Sequence, residues 1–278
     1  MLSIADHRRD RAGLRYVYPV VSRRAGGVSV GINLNVNNAC NWACAYCQVE
    51  NLVRGGPPPI DLALLEHELA GFLDELLHGD YLFREVPAEA RRLADIAFSG
   101  NGEPTSAAEF CEAVQCVAQV LKRFEIFGTL PVRLITNGSL MHRPRVRQGI
   151  EVLAEMGGEV WFKIDRALPE EVQLINGVPL DVEGVRRRLA ISCEAATTWV
   201  QTCWFAIDGH EPGADSRAAY CELLRPLAKQ VAGVHLYGLA RPSLQPMAGR
   251  LGGIEEAALL VFAQEIEKTT GLRVVVSP

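Results

Sequence analysis

The sequence predicts an α/β protein folded as a partial (β/α)6 TIM-like barrel, and three observations carry that expectation. Short apolar runs alternate with amphipathic helical stretches from about residue 28 to the end. The 278 residues offer six or seven such units, too few strands to close an eight-fold barrel. Residues of unusual chemistry gather just after the apolar runs, at the carboxyl ends of strands, where folds of this kind place their sites. A doubly wound sheet is the alternative arrangement of the same elements.

The elements follow one another in regular order. A strand at 28–36 leads to a helix at 61–77, started by Pro-Ile-Asp61. Next come a strand at 95–99 with a helix at 106–124, and a strand at 132–136 with a helix at 144–156. The strand at 159–164 precedes a helix at 182–192. The strand at 198–206 precedes a helix at 216–231, for which Asp215-Ser216 is the expected cap. A strand at 233–239, a helix at 254–270 and a strand at 272–276 complete the pattern. Residues 1–27 read as an N-terminal extension and 28–278 as one barrel domain.

A composition of 49% hydrophobic and 22% charged residues is that of a globular chain with a substantial core, not of a disordered one. No apolar run is long enough to span a bilayer, and an Asp-His-Arg-Arg-Asp-Arg cluster occupies residues 6–11, where a secretory signal needs apolar residues. A cytoplasmic protein with no membrane partner is expected. The net charge of −5 gives no global footprint for nucleic acid. Arginines cluster at Arg8, Arg9, Arg11 and Arg15, at Arg23 and Arg24, and at Arg186 to Arg188. A solvated face is one reading of these runs, and a local RNA-binding surface is the other.

Eight cysteines in a reducing compartment argue against a disulfide framework, and three of them fall within eight residues. Cys40-Asn-Trp-Ala-Cys44-Ala-Tyr-Cys47 has the spacing C-x3-C-x2-C in a loop after the first strand. Three thiolates can hold three irons of a four-iron cluster and leave the fourth iron open to another ligand. Structural zinc, small buried hydrophobes and a redox pair at Cys44 and Cys47 are the competing readings. Zinc requires a fourth ligand, and the nearest downstream histidine is His67, within a predicted helix.

With Tyr46 just before its last cysteine, this motif resembles that of the radical S-adenosylmethionine superfamily, and the resemblance extends from about residue 28 to the end. It implies a barrel of the radical SAM type holding a 4Fe–4S cluster on Cys40, Cys44 and Cys47. It implies S-adenosylmethionine chelated to the open iron, and reductive cleavage to a 5′-deoxyadenosyl radical that abstracts a substrate hydrogen. An external electron donor such as flavodoxin or ferredoxin is implied as a partner.

Ser99-Gly100-Asn101-Gly102-Glu103-Pro104-Thr105 resembles the superfamily's second-strand motif, which supports the methionyl amino group. Glycines let backbone approach closely, and carbonyls and a carboxylate accept from an ammonium. Thr136-Asn137-Gly138 is either a turn or, as the resemblance implies, a polar pair near the ribose or carboxylate. Lys163 and Asp165 share one face of the fourth strand, opposite Phe162 and Ile164. The resemblance gives them the cofactor carboxylate and a hydroxyl as partners; an interstrand salt bridge is the other reading. Gln201, on one face with Trp199, Cys203 and Phe205, is a candidate substrate contact, and Arg241 is another.

Within the superfamily the chain is most similar to the wyosine-synthase-like branch, through Phe162-Lys-Ile-Asp165, Leu174-Ile-Asn-Gly-Val-Pro179 and Val234-His-Leu-Tyr-Gly-Leu-Ala-Arg-Pro242. It has neither the branch's second set of N-terminal cysteines nor its flavodoxin domain. Cys193, Cys203 and Cys221 are spaced too widely for an auxiliary cluster, and Cys111, Cys116 and Cys221 read as buried structural residues. The expected function is a radical SAM enzyme acting on an unidentified nucleoside or RNA, small metabolite or partner protein. A noncatalytic iron–sulfur electron carrier or assembly protein is the alternative.

Overall fold

The computed structural model describes residues 13–22, 26–239 and 241–277. Eight strands lie side by side in chain order: β1 (Val17–Ser22), β2 (Gly27–Ile32), β3 (Leu93–Phe98), β4 (Val132–Thr136), β5 (Glu159–Lys163), β6 (Thr197–Cys203), β7 (Gly233–Tyr237) and β8 (Val274–Ser277). β1 is antiparallel to β2, and every other neighbouring pair is parallel. The helices of eight residues or more are α1 (Leu62–Leu77), α2 (Phe110–Arg123), α3 (Pro144–Glu155), α4 (Pro169–Asn176), α5 (Val182–Ala195), α6 (Ala214–Leu224) and α7 (Glu256–Thr270). Each strand from β2 to β7 is followed by at least one of them. This is the partial (β/α)6 barrel, with β1 and β8 added at its two edges.

Alternation along the strands separates two environments. Val28, Val30 and Ile32, then Ile96 and Phe98, then Val160 and Phe162, belong to the apolar core with residues of the surrounding helices. Their neighbours Ser29, Asp95, Ala97, Trp161 and Gln201 line a cavity of about 1490 Å³. Residues from all eight strands, Tyr18 on β1 through Val276 on β8, line that one cavity, so the sheet is curled around it. Part of the interior is filled by a stack in which His235 lies 4.6 Å from Trp161 and 4.4 Å from Trp199.

The structure alters several expected boundaries. β2 ends at Ile32 rather than at residue 36, because the Asn33 side chain accepts hydrogen bonds from Asn35 N and Asn101 N and draws the chain into a loop. β6 ends at Cys203, and Ala206–Ile207 pairs instead with Leu251–Gly252. α6 begins at Ala214 with Gly213 at its N-cap, so Asp215-Ser216 is not the cap, and Ser216 Oγ donates to Glu171. Asp61 does cap α1, accepting from Leu64 N at 3.0 Å.

Of the elements labelled above, two were missed from sequence. β1 lies within what reads as an N-terminal extension; Pro19 interrupts its apolar run and suits only an edge strand, which is its position. α4 is short, but Pro169 at its start and Gly177 in the left-handed conformation at its end mark it by the usual asymmetry of helix termini. Of the arginine clusters, Arg8, Arg9, Arg11, Arg23 and Arg24 lie outside the described residues. Arg186 pairs with Glu183 and donates to the carbonyls of Leu223 and Glu222.

Candidate active site

The cysteine loop leaves β2 and is fastened on every side by side chains from the strand ends. On its leading flank Asn35 Nδ2 donates to Ala39 O at 2.9 Å, and Asn101 Nδ2 donates to Asn38 Oδ1 at 2.7 Å. Gly102 packs so closely that a Cβ there would meet Ala39 O at 2.1 Å. Asn137 Nδ2 donates to Asn41 Oδ1 at 2.8 Å, and Asn41 in turn donates to Ser139 Oγ at 2.8 Å. The carbonyls of Ile175 and Asn176, at the end of α4, accept from Ala45 N and Ala43 N. On the trailing flank Ser243 Oγ donates to Ala45 O at 2.6 Å, and Gln245 Nε2 donates to Cys47 O at 3.2 Å and Val49 O at 2.7 Å.

Cys40, Cys44 and Cys47 are half-buried free thiols and line the cavity. Burial pushes the Cys40 thiol up to about 11 and the Cys44 thiol up to about 12, so a group that ligates thiolates is needed to displace their protons near neutral pH. Trp42 N donates to Cys40 Sγ at 3.4 Å, and Asn176 Nδ2 donates to Cys44 Sγ at 3.4 Å. Among the described residues no three His, Cys, Asp or Glu side chains converge on a single ion. A cluster, whose ligands bind different irons, does not require them to. The other five cysteines are also free, and Cys111, Cys116 and Cys221 are buried as expected.

Glu103 is a buried carboxylate on the cavity wall. Its Oε1 accepts from Thr105 N at 3.1 Å, Thr105 Oγ1 at 2.6 Å and Thr136 Oγ1 at 2.6 Å, and its Oε2 accepts from Asn137 N at 2.7 Å. Burial pushes its pKa up, and these four donors offset that effect only in part. Among the described residues no Lys, Arg or His forms an ion pair with it, so a bound cation would complete the site.

Lys163 faces the same cavity. Its Nζ donates to Tyr237 Oη at 3.0 Å, lies 5.0 Å from the Tyr46 ring centroid and is 3.8 Å from Asp165 Oδ1. Burial alone would lower the pKa of its ammonium, but the Asp165 carboxylate holds it above the ordinary value. Asp165 itself accepts from Tyr46 Oη at 2.5 Å, Asn176 Nδ2 at 3.1 Å and Cys203 N at 2.9 Å.

The residues singled out from sequence therefore separate into two groups. Tyr46, Gly100, Gly102, Glu103, Asn137, Lys163, Gln201 and Arg241 line the cavity with the three cysteines. Pro104, Thr136 and Asp165 are buried behind that wall, where Thr136 holds Glu103 and Asp165 holds Tyr46. Gln201 is buried and presents its carboxamide without a side-chain hydrogen bond among the described residues. Arg241 Nη1 donates to Gln48 Oε1 at 3.4 Å. The sequence reading missed Ser139, Ser243 and Gln245. Asn176 it met only as part of a branch resemblance. Polar residues directly after a strand end were the available signal.

In fold this chain is similar to the half-barrels of radical S-adenosylmethionine enzymes. Over most of its length it superposes on a radical SAM methyltransferase from Sphaerobacter thermophilus, with a TM-score of 0.58, 15% identity, and coverage of 94% of this chain and 68% of that one. Streptococcus suis SuiB bound to S-adenosylmethionine is similar at a TM-score of 0.53 and 9% identity, over 91% of this chain and 47% of that one. No family model matches the chain. Among curated proteins, a GTPase Obg from Brachyspira hyodysenteriae is 28% identical over 132 residues, which is 48% of this chain and 17% of that protein. UPF0026 protein MJ1312 from Methanocaldococcus jannaschii is 29% identical over 137 residues, 48% of this chain and 36% of that protein. The chain thus spans about a sixth and about a third of these two relatives. It contains no Gly-Lys pair, so the phosphate-binding loop of nucleoside triphosphatases has no counterpart in it.

Proposed function

We propose that this chain is a radical SAM enzyme that holds a 4Fe–4S cluster on Cys40, Cys44 and Cys47 and abstracts hydrogen from a substrate in the barrel. The observation that carries this reading is the meeting of three thiols, a buried carboxylate without a cation and a half-buried ammonium on one cavity wall. Those charges complement the ammonium and carboxylate of an amino-acid moiety, which the methionyl end of S-adenosylmethionine supplies. When bound, the cluster and S-adenosylmethionine supply an electron and a 5′-deoxyadenosyl radical respectively.

The chain's own part is to bind and orient. Glu103 takes the ammonium, and the Gly100 to Gly102 turn brings backbone close to it. Lys163 retains donor capacity beyond its bond to Tyr237 and takes the carboxylate. The cavity of about 1490 Å³ exceeds the roughly 300–1,000 Å³ of an ordinary small-molecule site, which leaves room for a second molecule beside the cofactor. Gln201 and Arg241 are the substrate contacts in this reading, with a nucleoside or RNA, a small metabolite or a protein segment as the substrate classes. The electron comes from an external donor such as flavodoxin or ferredoxin.

Anaerobic reconstitution tests the reading. The expected result is about four irons per chain, lost in Cys40→Ala, Cys44→Ala and Cys47→Ala, with slow formation of 5′-deoxyadenosine and methionine once dithionite is added. Zinc at full occupancy with no iron chromophore overturns it. An intact, reduced cluster that leaves S-adenosylmethionine unchanged favours the electron-carrier alternative.

A further inference from the structure

Asn176 ends α4 and has two separate attachments to the cysteine loop. Its backbone carbonyl accepts from Ala43 N at 3.1 Å, and its side-chain Nδ2 donates to Cys44 Sγ at 3.4 Å. The same nitrogen donates to Asp165 Oδ2 at 3.1 Å. A carboxamide nitrogen carries two hydrogens, and both are used. Each partner is an acceptor once Cys44 is ionised, so the amide orientation follows from the chemistry of its neighbours. The residue is only 2% exposed, and its Cys44 contact is therefore shielded from water, which would otherwise compete for both hydrogens.

We propose that Asn176 is a positioning residue that sets the reduction potential of the cluster through this hydrogen bond to the Cys44 sulfur. The inference rests on the cluster assignment of the previous section. An N–H directed at a ligand sulfur stabilises negative charge there, and the reduced cluster carries one more negative charge than the oxidised one. The bond therefore favours the reduced form and raises the potential. Asp165 keeps the amide aimed at the sulfur. It is itself fixed by Tyr46 and Cys203 N, so Asn176 cannot swing away without costing a buried carboxylate one of its donors.

The α4 terminus allows the two attachments to be separated. A substitution at Asn176 removes the side-chain donor and leaves the backbone carbonyl that holds Ala43. Asn176→Leu preserves approximate volume and changes no charge, so a shift in potential on this substitution reports the hydrogen bond rather than a new Coulomb interaction.

The experiment is an anaerobic redox titration of the reconstituted chain, with the reduced cluster followed by electron paramagnetic resonance and iron counted in each sample. The expected result is a midpoint displaced to more negative potential in Asn176→Leu at unchanged iron content. Asn176→Ser, whose hydroxyl is too short to span to Cys44, should shift in the same direction and serves where the leucine variant folds poorly. Asn176→Gln, which keeps the amide, should return part of the difference. Midpoints equal to that of the unsubstituted protein in the leucine and serine variants, with iron retained, overturn the role of Asn176 alone. Absence of a cluster from the unsubstituted protein overturns the cluster assignment and this inference with it.

Discussion

Tyr46 Oη donates to Asp165 Oδ2 at 2.5 Å, joining the residue before the last cysteine of the motif to the second residue beyond β5. The bond spans 119 positions of sequence and fixes the cysteine loop against the buried neighbour of Lys163, which faces the cavity. Tyr46 also meets Phe205 edge to face at 5.5 Å, so its ring is held independently of its hydroxyl.

Tyr46→Phe keeps the ring and removes the hydroxyl alone. Asp165 retains Asn176 Nδ2 and Cys203 N as donors, so the loss is one hydrogen bond to a charged group, about 1.5–3 kcal/mol. Denaturant unfolding should show a lower midpoint with an unchanged slope. A variant as stable as the unsubstituted protein would show that the bond contributes no net stability.

The cysteine spacing and the order of strands and helices were legible because each depends on a local pattern. Three thiols in eight residues and apolar runs at fixed periods need no tertiary information. The function of Asn176, Ser243 and Gln245 was not legible, because each acts on a cysteine loop distant in the chain, 198 positions away in the case of Ser243 and Ala45. β1 was lost for a related reason: Pro19 weakens the strand pattern, and only pairing with β2 reveals the edge position. The alternation of Lys163 and Asp165 put both on one face of the strand, but β5 ends at Lys163, and Asp165 beyond it is enclosed by protein donors while Lys163 remains at the cavity.

Gly102→Ala tests how closely the β3 loop must approach the cysteine loop. The added methyl would lie 2.1 Å from the Ala39 carbonyl oxygen and 2.7 Å from Asn35 Nδ2, and backbone cannot retreat as a flexible side chain does. Overpacking of this kind costs about 1–3 kcal/mol, or more where backbone must shift. The expected outcome is a folded protein of reduced stability that takes up less iron on reconstitution, because the displaced segment at Ala39 adjoins Cys40. Full iron loading at unchanged thermal midpoint would show that the two loops have room to separate.

Lys163→Met asks whether the ammonium serves the cofactor or only its neighbour Asp165. Methionine keeps most of the buried aliphatic length and removes the charge and its donors. Were Lys163 the only partner of Asp165, its removal would strand a buried carboxylate and cost about 3–5 kcal/mol. The geometry argues for less: the Lys163 to Asp165 separation is 3.8 Å, whereas three other donors lie at 2.5, 3.1 and 2.9 Å from the carboxylate. The expected stability loss is accordingly below that range, with iron content retained. Affinity for S-adenosylmethionine should fall, since one charge-assisted hydrogen bond to a carboxylate contributes about 1.5–3 kcal/mol, or roughly a ten- to hundredfold change in Kd. Equilibrium dialysis with labelled cofactor and thermal unfolding of the same variant separate the two roles. A large drop in stability with unchanged affinity in the folded fraction would make Lys163 a structural partner of Asp165 and remove it from the cofactor site.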